Sequence, residues 1–297
     1  KMTACMSHRG PDGEGMWLSA DGRASFGHRR LKVIDLSDRA AQPMANPSGT
    51  VCLTYNGEIY NHAELRRELT SLGHEGWQTD HADTEVLLRA YEEWGIACLA
   101  KLRGMFAFAL WDAREASLFL VRDRLGIKPL YYAQRPGRLN FASEVPPLLA
   151  DASFRREMNE SALFHYLTFT AVPAPDTFFN GISKVPPATW IRVGASGELR
   201  MERYWEPACF LGTWSSATPA QAAGAVREAL ADAVASHQIS DVPVGCFLSG
   251  GLDSSAVTAL SSAGRTEPVK TFTIDYEGQN RTYRSETRWS RLVAQTV

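Results

Sequence analysis

The sequence lacks three features that would place it in a specialised class: paired cysteines, a long apolar run and a strong net charge. Its five cysteines are odd in number and none forms a Cys-x-x-Cys pair, which argues against a disulfide framework or a zinc site and favours a reducing cytoplasm. No apolar run approaches the roughly 18–20 residues that span a bilayer, and no secretory signal precedes the first motif. A net charge of −2 gives no reason to expect a nucleic-acid or membrane partner.

The chain does contain enough apolar material for a substantial core, with 44% hydrophobic residues. Its length suggests about two domains, on a prior of roughly 150 residues each. Short strands close together in sequence, with helices between them, predict an α+β layered domain over residues 1–205. Residues 206–297 follow a strand, Gly-Gly turn, helix and strand pattern, which predicts a parallel βαβ unit. We place the boundary near residues 205–217.

Two smaller expectations concern local structure. Cys52, Cys98 and Cys246 lie in apolar runs and are expected to be buried. Thr218-Pro219-Ala220-Gln221 has the composition of a capping box with proline at the first helical position, so it predicts the start of a helix that continues to about His237.

The stretch Phe247-Leu248-Ser249-Gly250-Gly251-Leu252-Asp253-Ser254-Ser255 is the most specific signal in the chain. It joins a predicted strand at 242–248 to a predicted helix at 252–262. Two glycines at such a junction let the backbone approach a ligand, and the free N–H groups at the helix start suit a phosphate. The Walker phosphate loop is excluded, because no Gly-Lys-Ser or Gly-Lys-Thr occurs. A tight packing turn is the plain alternative, which the flanking serines and aspartate disfavour.

The first domain carries several polar motifs where an ordinary core would be apolar. They are Ser7-His8-Arg9-Gly10-Pro11-Asp12-Gly13, Gly27-His28-Arg29-Arg30-Leu31, Asn56-Gly57-Glu58-Ile59-Tyr60-Asn61, Asp83-Thr84-Glu85 and the run from Arg122 to Tyr132. Taken singly, each has an ordinary structural explanation. Asn-Gly predicts a turn after a strand at 51–55, Asp83 predicts a helix cap, and Arg122-Asp123 predicts a surface ion pair.

In this order, and followed by the 247–255 loop, the motifs resemble the glutamine-hydrolysing asparagine synthetase family. In that family a class II (N-terminal nucleophile) glutamine amidotransferase domain precedes a PP-loop synthetase domain. The resemblance covers essentially the whole chain. It implies a four-layer αββα fold of Ntn-hydrolase type over residues 1–205. Over residues 206–297 it implies an α/β PP-loop domain with a doubly wound parallel sheet, incomplete here.

The resemblance also implies an activity. The family makes asparagine from aspartate with ATP, and glutamine is the nitrogen donor. The synthetase domain adenylates the aspartate carboxylate, and ammonia from the glutaminase site reaches it through an internal tunnel, so that AMP and pyrophosphate are released. The implied partners are these small molecules together with Mg²⁺, the implied location is cytoplasmic, and a homodimer is a family-level expectation.

Residue roles carry over where the motifs match. Arg30 would hold the α-carboxylate of glutamine, since a guanidinium fork suits a carboxylate. Glu58 and Asp83 would face the α-ammonium group. The side-chain amide of Asn56 and the backbone N–H of Gly57 would form the oxyanion hole.

The synthetase motif implies a set of ATP-contacting positions, with Asp253 as a ligand for Mg²⁺. The positions are Leu248, Ser249, Gly250, Gly251, Leu252, Asp253, Ser254, Ser255 and Ile274.

The chain departs from the family at the nucleophile. The family uses a cysteine at the mature N-terminus, activated by its own α-amino group. This sequence starts at Lys1, and its first cysteine, Cys5, is followed by Met6-Ser7 rather than Gly-Ile. We interpret Cys5 as an ordinary helix residue. We therefore expect a fragment, an expectation that the end of the chain inside a helical pattern at Val297 supports.

Other functions stay open at this point. One is an amidotransferase of the same build that amidates another carboxylate. A second is an enzyme like β-lactam synthetase that closes a ring, against which the intact glutamine motifs argue. A third is a non-catalytic homologue without the nucleophilic cysteine.

Overall fold

The computed structural model describes residues 1–212, 216–276 and 285–297. The chain divides into two compact units, Lys1–Cys209 and Phe210–Val297. Residues 213–215 of the predicted boundary region lie outside the described residues. None of the helices within the described ranges is long and apolar enough to cross a membrane.

The first unit contains eleven strands. They are β1 (Gly13–Leu18), β2 (Ser25–Arg30), β3 (Met44–Ala45), β4 (Val51–Ile59), β5 (Gly104–Asp112), β6 (Ser117–Arg122), β7 (Tyr131–Arg135), β8 (Arg138–Ala142), β9 (Ser183–Lys184), β10 (Thr189–Val193) and β11 (Leu199–Arg203). Six of them form one sheet with strand order β11-β10-β6-β5-β4-β3, which is accompanied by the hairpin β1-β2 and a three-stranded sheet β8-β7-β9. The paired strands of all three sheets are antiparallel.

Four α-helices accompany these strands. They are α1 (His62–Ser71), α2 (Asp83–Trp94), α3 (Val145–Leu149) and α4 (Glu160–Phe169). Short 3-10 helices occur at Thr3–Arg9, Asp38–Ala40, Gly95–Ala100 and Pro207–Phe210. Cys5 lies exposed in the first of them.

The large sheet separates two apolar clusters, because side chains along a strand alternate between its faces. On one face, Leu53 and Phe108 belong to a cluster that includes the inner sides of α1 and α2. On the other face, Cys52 and Ala109 belong to a cluster that includes Phe26 of β2. A third, smaller cluster joins β7 and β8 to α3. The large sheet is thus covered by apolar contacts on both of its faces.

The turn predicted at Asn56-Gly57 is wrong. These residues continue β4, which pairs with β5 from Val51 opposite Asp112 to Ile59 opposite Gly104. A β-carbon at position 57 would lie 2.3 Å from the carbonyl oxygen of Met105, so the glycine serves close strand packing. Pairing with β5 therefore overrides the local turn preference of Asn-Gly.

The helix cap predicted at Asp83 is also wrong. Asp83 is the first residue of α2, and Ala82 is the N-cap without a side-chain cap. The Asp83 carboxylate accepts hydrogen bonds from Tyr55 and Ile59 of β4 instead. The carboxylate therefore links the start of α2 to β4.

The surface ion pair predicted at Arg122-Asp123 is replaced by two separate anchors. Asp123 is buried, and its carboxylate accepts four backbone N–H groups, from Phe106, Leu125, Ile127 and Lys128. Arg122 donates to the carbonyl oxygens of Gly126, Lys128 and Val185. Together they fix the loop that follows β6.

The second unit contains α5 (Pro219–Ser236), β12 (Gly245–Phe247), α6 (Leu252–Ser262), β13 (Lys270–Phe272) and α7 (Thr287–Thr296). β12 and β13 are parallel, so the predicted βαβ unit is confirmed. The capping box of Thr218 and Gln221 is confirmed as well. β12 is shorter than the strand predicted at 242–248.

The expected burial of the cysteines holds for Cys52 and Cys98 and is wrong for Cys246. Cys246 lies on β12, is half-buried, and its thiol contacts the Ser261 hydroxyl of α6 at 3.5 Å. β12 has only three residues, and its side chains are less buried than the apolar run in the sequence predicts.

Candidate active site

One cavity of about 1600 Å³ in the first unit is lined by all the residues that the motifs proposed for glutamine. These are Arg30, Asn56, Gly57, Glu58 and Asp83. They come from the end of β2, the second half of β4 and the first residue of α2. Folding thus gathers residues that are far apart in sequence at the wall of one cavity.

The β4 wall carries two polar atoms that have no protein partner. Among the described residues, the Asn56 amide nitrogen Nδ2 and the Glu58 oxygen Oε1 are buried without a hydrogen bond. Leaving such a group unpaired costs about 1–3 kcal/mol, so unpaired atoms at a cavity wall are expected where a ligand supplies the missing partner. Asn56 can donate to a developing negative charge, and Glu58 can accept from a cation.

Arg30 is buried at the end of β2 and holds the loop that follows it. Its guanidinium donates from Nη1 to the carbonyl oxygen of Ser37 at 2.8 Å and from Nη2 to the carbonyl oxygens of Ile34 and Asp35. Burial lowers the pKa of Arg30, and the nearby carboxylates of Asp35, Asp38 and Asp83 oppose that shift. The cavity therefore has a fixed cation at this wall.

Asp83 supplies a buried carboxylate on the same cavity. Its Oδ2 accepts from the Tyr55 hydroxyl at 2.7 Å and from the Ile59 amide at 3.0 Å. Burial raises the pKa of Asp83, while both hydrogen bonds act to lower it. Burial also raises the pKa of Glu58 to about 7, helped by the Asp83 charge and opposed by Lys128. Two carboxylates facing one cavity suit a ligand that carries an ammonium group.

His28, Lys128 and Tyr55 also line the cavity, and sequence reasoning gave none of them a role. His28 stands 3.1 Å from the Thr54 hydroxyl through Nδ1, and burial lowers the pKa of His28 to about 4, so its imidazole is neutral at pH 7. The one available signal was position: His28 is two residues before Arg30 on the same strand face. Tyr55 gave no signal, since it ends an apolar run.

We expect Glu58 to make stability depend on pH. Because the pKa of Glu58 is raised from 4.5 to about 7, the folded unit binds its proton more tightly than the unfolded chain does, and its contribution to stability falls as pH rises from 4.5 to 7. Glu58→Gln should remove this loss and stabilise the unit at pH 8, relative to pH 4.5, by on the order of 1 kcal/mol after allowance for partial exposure.

Urea unfolding at pH 4.5 and pH 8 measures this difference. The control is Glu64→Gln, at an exposed position on α1. It removes a carboxylate outside the cavity lining and measures the effect of a surface Glu→Gln change at each pH. A Glu58→Gln difference that changes with pH no more than that of the control would contradict the prediction.

The second unit places the 247–255 loop at the carboxyl ends of its two parallel strands, the edge where open α/β sheets bind ligands. The Thr273 hydroxyl donates to the carbonyl oxygen of Leu248 at 2.7 Å and ties the two strand ends together. Ile274 follows at once and is 71% exposed. The two strand ends that the motif proposed for the nucleotide are therefore neighbours.

Gly250 has a left-handed φ of +86°, and a β-carbon there would lie 2.5 Å from the β-carbon of Trp289 on α7. Both conditions require glycine. Around it the hydroxyls of Ser249 and Ser254 lie 3.0 Å apart, and the Ser255 hydroxyl donates to the carbonyl oxygen of Gly251 at 2.7 Å. The loop forms a compact turn that leads directly into α6.

Asp253 is exposed in the first turn of α6. Across residues 1–212, 216–276 and 285–297, no group of three or more His, Cys, Asp or Glu side chains is placed to hold a metal ion. A magnesium ion near Asp253 would therefore take most of its ligands from phosphate and water. Magnesium is commonly bound in that way, by one or two carboxylates and substrate phosphates, so the residue fits the role.

Comparison with known families divides the chain in two. Residues 1–205 match the glutamine amidotransferase domain family, and residues 225–297 match the asparagine synthase family.

Curated relatives carry both parts. Asparagine synthetase (glutamine-hydrolyzing) 3 of Bacillus subtilis strain 168 is 39% identical over 294 residues, which cover 96% of this chain and 46% of the relative. A putative asparagine synthetase (glutamine-hydrolyzing) 2 of Methanocaldococcus jannaschii is 31% identical, covering 94% of this chain and 56% of the relative. The chain thus spans about half the length of the curated relatives it matches.

Among solved structures, the glutamine phosphoribosylpyrophosphate amidotransferase of B. subtilis, complexed with ADP and GMP, is similar with a TM-score of 0.50. The match covers 95% of this chain and 64% of that one, at 16% sequence identity. At this identity the likeness concerns the fold alone.

Proposed function

Because this chain belongs to the glutamine amidotransferase family over residues 1–205 and matches asparagine synthase over residues 225–297, we propose that it acts in ATP-dependent synthesis of asparagine from aspartate. Glutamine is the nitrogen donor. One observation carries the proposal: the residues that the motifs proposed for glutamine line a single cavity. The adenylating loop of the second unit, at the ends of two parallel strands, supports it.

The same premise extends to the architecture. We propose a four-layer αββα arrangement of Ntn-hydrolase type for the first unit, supported by the apolar clusters on both faces of the large sheet. For the second unit we propose a doubly wound PP-loop domain, supported by the parallel pair β12 and β13. A homodimer and a cytoplasmic location stay predictions.

In the proposed glutamine site, Arg30 binds the α-carboxylate while Asp83 and Glu58 bind the α-ammonium. The amide of the substrate side chain then lies against β4, where the Asn56 amide and the Gly57 N–H stabilise the oxyanion of the tetrahedral intermediate. No residue of this chain is assigned the nucleophile. Cys5 is exposed and does not line the cavity.

In the proposed ATP site, the backbone and hydroxyl groups from Ser249 to Ser255 bind the phosphates at the start of α6. Leu248 and Ile274 contact the adenosine part from the two strand ends. Asp253 would offer one carboxylate to a bound Mg²⁺, which would supply positive charge to the phosphates.

The function is tested by pyrophosphate release from the protein with ATP, Mg²⁺, ammonia and aspartate. Ammonia is used because it bypasses the glutamine site. We expect release that depends on aspartate, and Asp253→Ala should lower it by about tenfold or more, since it removes the metal-binding carboxylate. Glu267→Ala, an exposed acidic residue in the turn after α6, is the control and should leave it unchanged.

A panel of other carboxylic acids in the same assay separates the proposal from its nearest rival. Release with aspartate supports asparagine synthesis. Release with another acid, and none with aspartate, would replace it by an amidotransferase that acts on that acid. Equal release by the Asp253→Ala and unmodified proteins would refute the assignment of the loop.

A further inference from the structure

Tyr55 connects two parts of the proposed glutamine site from the core side of β4. Its side chain is buried and belongs to the apolar cluster beneath α1 and α2. Its hydroxyl crosses to the start of α2 and donates to Oδ2 of Asp83 at 2.7 Å. A hydroxyl inside an apolar cluster needs such a partner, and here the partner lines the cavity.

The ring of Tyr55 also packs against Gly57, two residues along the strand. A β-carbon built at position 57 would lie 2.8 Å from Cε2 of Tyr55. Glycine at 57 therefore gives the ring the space through which its hydroxyl reaches Asp83. The same side chain thus supports the strand segment of the proposed oxyanion hole and the proposed ammonium ligand.

The geometry at Asp83 limits how its carboxylate can turn. Oδ2 accepts from the Tyr55 hydroxyl and from the Ile59 amide, and these donors fix its orientation. Oδ2 thus has two protein donors, and the backbone of Thr84 adds a further hydrogen bond to this carboxylate. Loss of one donor would let the carboxylate rotate and would remove a hydrogen bond that favours its charged form.

We propose that Tyr55 is a positioning residue for glutamine recognition, which holds the Asp83 carboxylate in the orientation that meets the α-ammonium group of the substrate. The inference rests on the proposed function of the first unit. It assigns Tyr55 no contact with glutamine. Tyr55 acts through Asp83, so its removal should weaken only those ligands that carry the ammonium group.

The pH dependence of binding gives a second readout. Tyr55→Phe removes a hydrogen bond that lowers the pKa of Asp83, so Asp83 should protonate at higher pH in the variant. The other charged or titratable groups around this carboxylate are Glu58 of β4, Arg30 of β2 and His62 of α1. None of them is altered by the substitution. The acid side of the glutamine-binding profile should therefore move to higher pH in the variant alone.

The experiment compares two ligands by titration calorimetry: L-glutamine and 4-carbamoylbutanoate, which lacks the α-amino group. Tyr55→Phe should weaken L-glutamine about tenfold and leave 4-carbamoylbutanoate unchanged, since the lost hydrogen bond acts on the ammonium ligand only. Tyr91→Phe is the matched control. It removes another buried tyrosine hydroxyl that donates to a carboxylate, Asp112, at 3.1 Å, away from the cavity lining.

Each outcome has one meaning. An ammonium-specific loss in Tyr55→Phe, with the shifted acid limb and no loss in Tyr91→Phe, supports the inference. Equal weakening of both ligands in Tyr55→Phe, or equal losses in both variants, overturns it while the proposed function stands. If the unmodified chain binds neither ligand, the proposed function itself fails, and the inference with it.

Discussion

Gly57→Ala is expected to remove glutamine binding and to destabilise the first unit by roughly 3 kcal/mol or more. A β-carbon at position 57 would lie 2.3 Å from the Met105 carbonyl oxygen, 2.7 Å from the Phe106 α-carbon and 2.8 Å from the Tyr55 ring. Two of these neighbours are backbone atoms of β5, which can move only if β4 and β5 separate locally. The N–H of residue 57 would move with them, and the proposed oxyanion donor would lose its position.

Urea unfolding and L-glutamine titration measure the two effects. Gly13→Ala is the matched control, because it is also a strand glycine and its new β-carbon would meet only the Arg30 β-carbon at 3.5 Å, an ordinary contact. In a protein with the complete glutaminase activity, losing one oxyanion donor should cost about 100–1000-fold in rate. A Gly57→Ala chain as stable as Gly13→Ala, with unchanged affinity for glutamine, would contradict the packing argument.

Arg30→Ala is expected to weaken L-glutamine binding by about 100-fold or more, since a buried, hydrogen-bonded charge pair is worth roughly 2–5 kcal/mol when one partner is removed. The variant also leaves three carbonyl oxygens of the 34–37 loop without their donor, so stability should fall by about 2 kcal/mol. The proposed ammonia-dependent synthesis of asparagine would not use this site and should be spared. Equal loss of the glutamine-dependent and ammonia-dependent reactions would refute the assigned role.

Two controls separate binding from loop stability. Arg122→Ala removes another guanidinium that donates to three carbonyl oxygens, so it should destabilise the unit by a similar amount. It should affect glutamine affinity far less. The ligand control is 4-aminobutanamide, which lacks the α-carboxylate and should bind the unmodified and Arg30→Ala chains equally weakly. A large preference of the unmodified chain for this ligand would show that Arg30 acts only through the loop.

Local sequence was sufficient for features that depend on a few neighbouring residues. The helix predicted at 252–262 has those bounds in the structure, and the capping box at Thr218 forms as its residue types require. Such features depend on propensity and on hydrogen bonds within one turn.

Features that depend on distant partners were not predictable in this way. Asn56-Gly57 has a strong local turn preference, yet nine residues of β4 pair with β5 across this point. The local sequence predicts a helix cap at Asp83, but in the fold its carboxylate accepts hydrogen bonds from Tyr55 and Ile59. The local sequence predicts an ion pair at Asp123, but in the fold its carboxylate accepts hydrogen bonds from four backbone amides, one on β5 and three in the loop after β6. In each case a contact with a distant strand or loop decides the role of the residue.

The sequence motifs predicted which residues form the candidate site, but they did not predict the contacts that hold those residues in place. Motif order brought Arg30, Glu58 and Asp83 together before any geometry was known. The contacts that hold them belong to residues without a motif signal, such as Tyr55 and the carbonyl groups of the 34–37 loop.

The alternation of β4 has a consequence for how this segment can diverge. Thr54, Asn56 and Glu58 line the cavity, while Leu53, Tyr55 and Ile59 belong to the apolar cluster that includes α1 and α2, and of these three only Tyr55 also reaches the cavity lining. Substitutions in the first series should change ligand affinity, and substitutions in the second should change the free energy of unfolding. Selection for binding and selection for stability therefore act on alternate codons. An insertion or deletion of a single codon in this strand would move every following side chain to the opposite face of the sheet. Relatives should therefore vary here by replacement and keep the length of the strand constant.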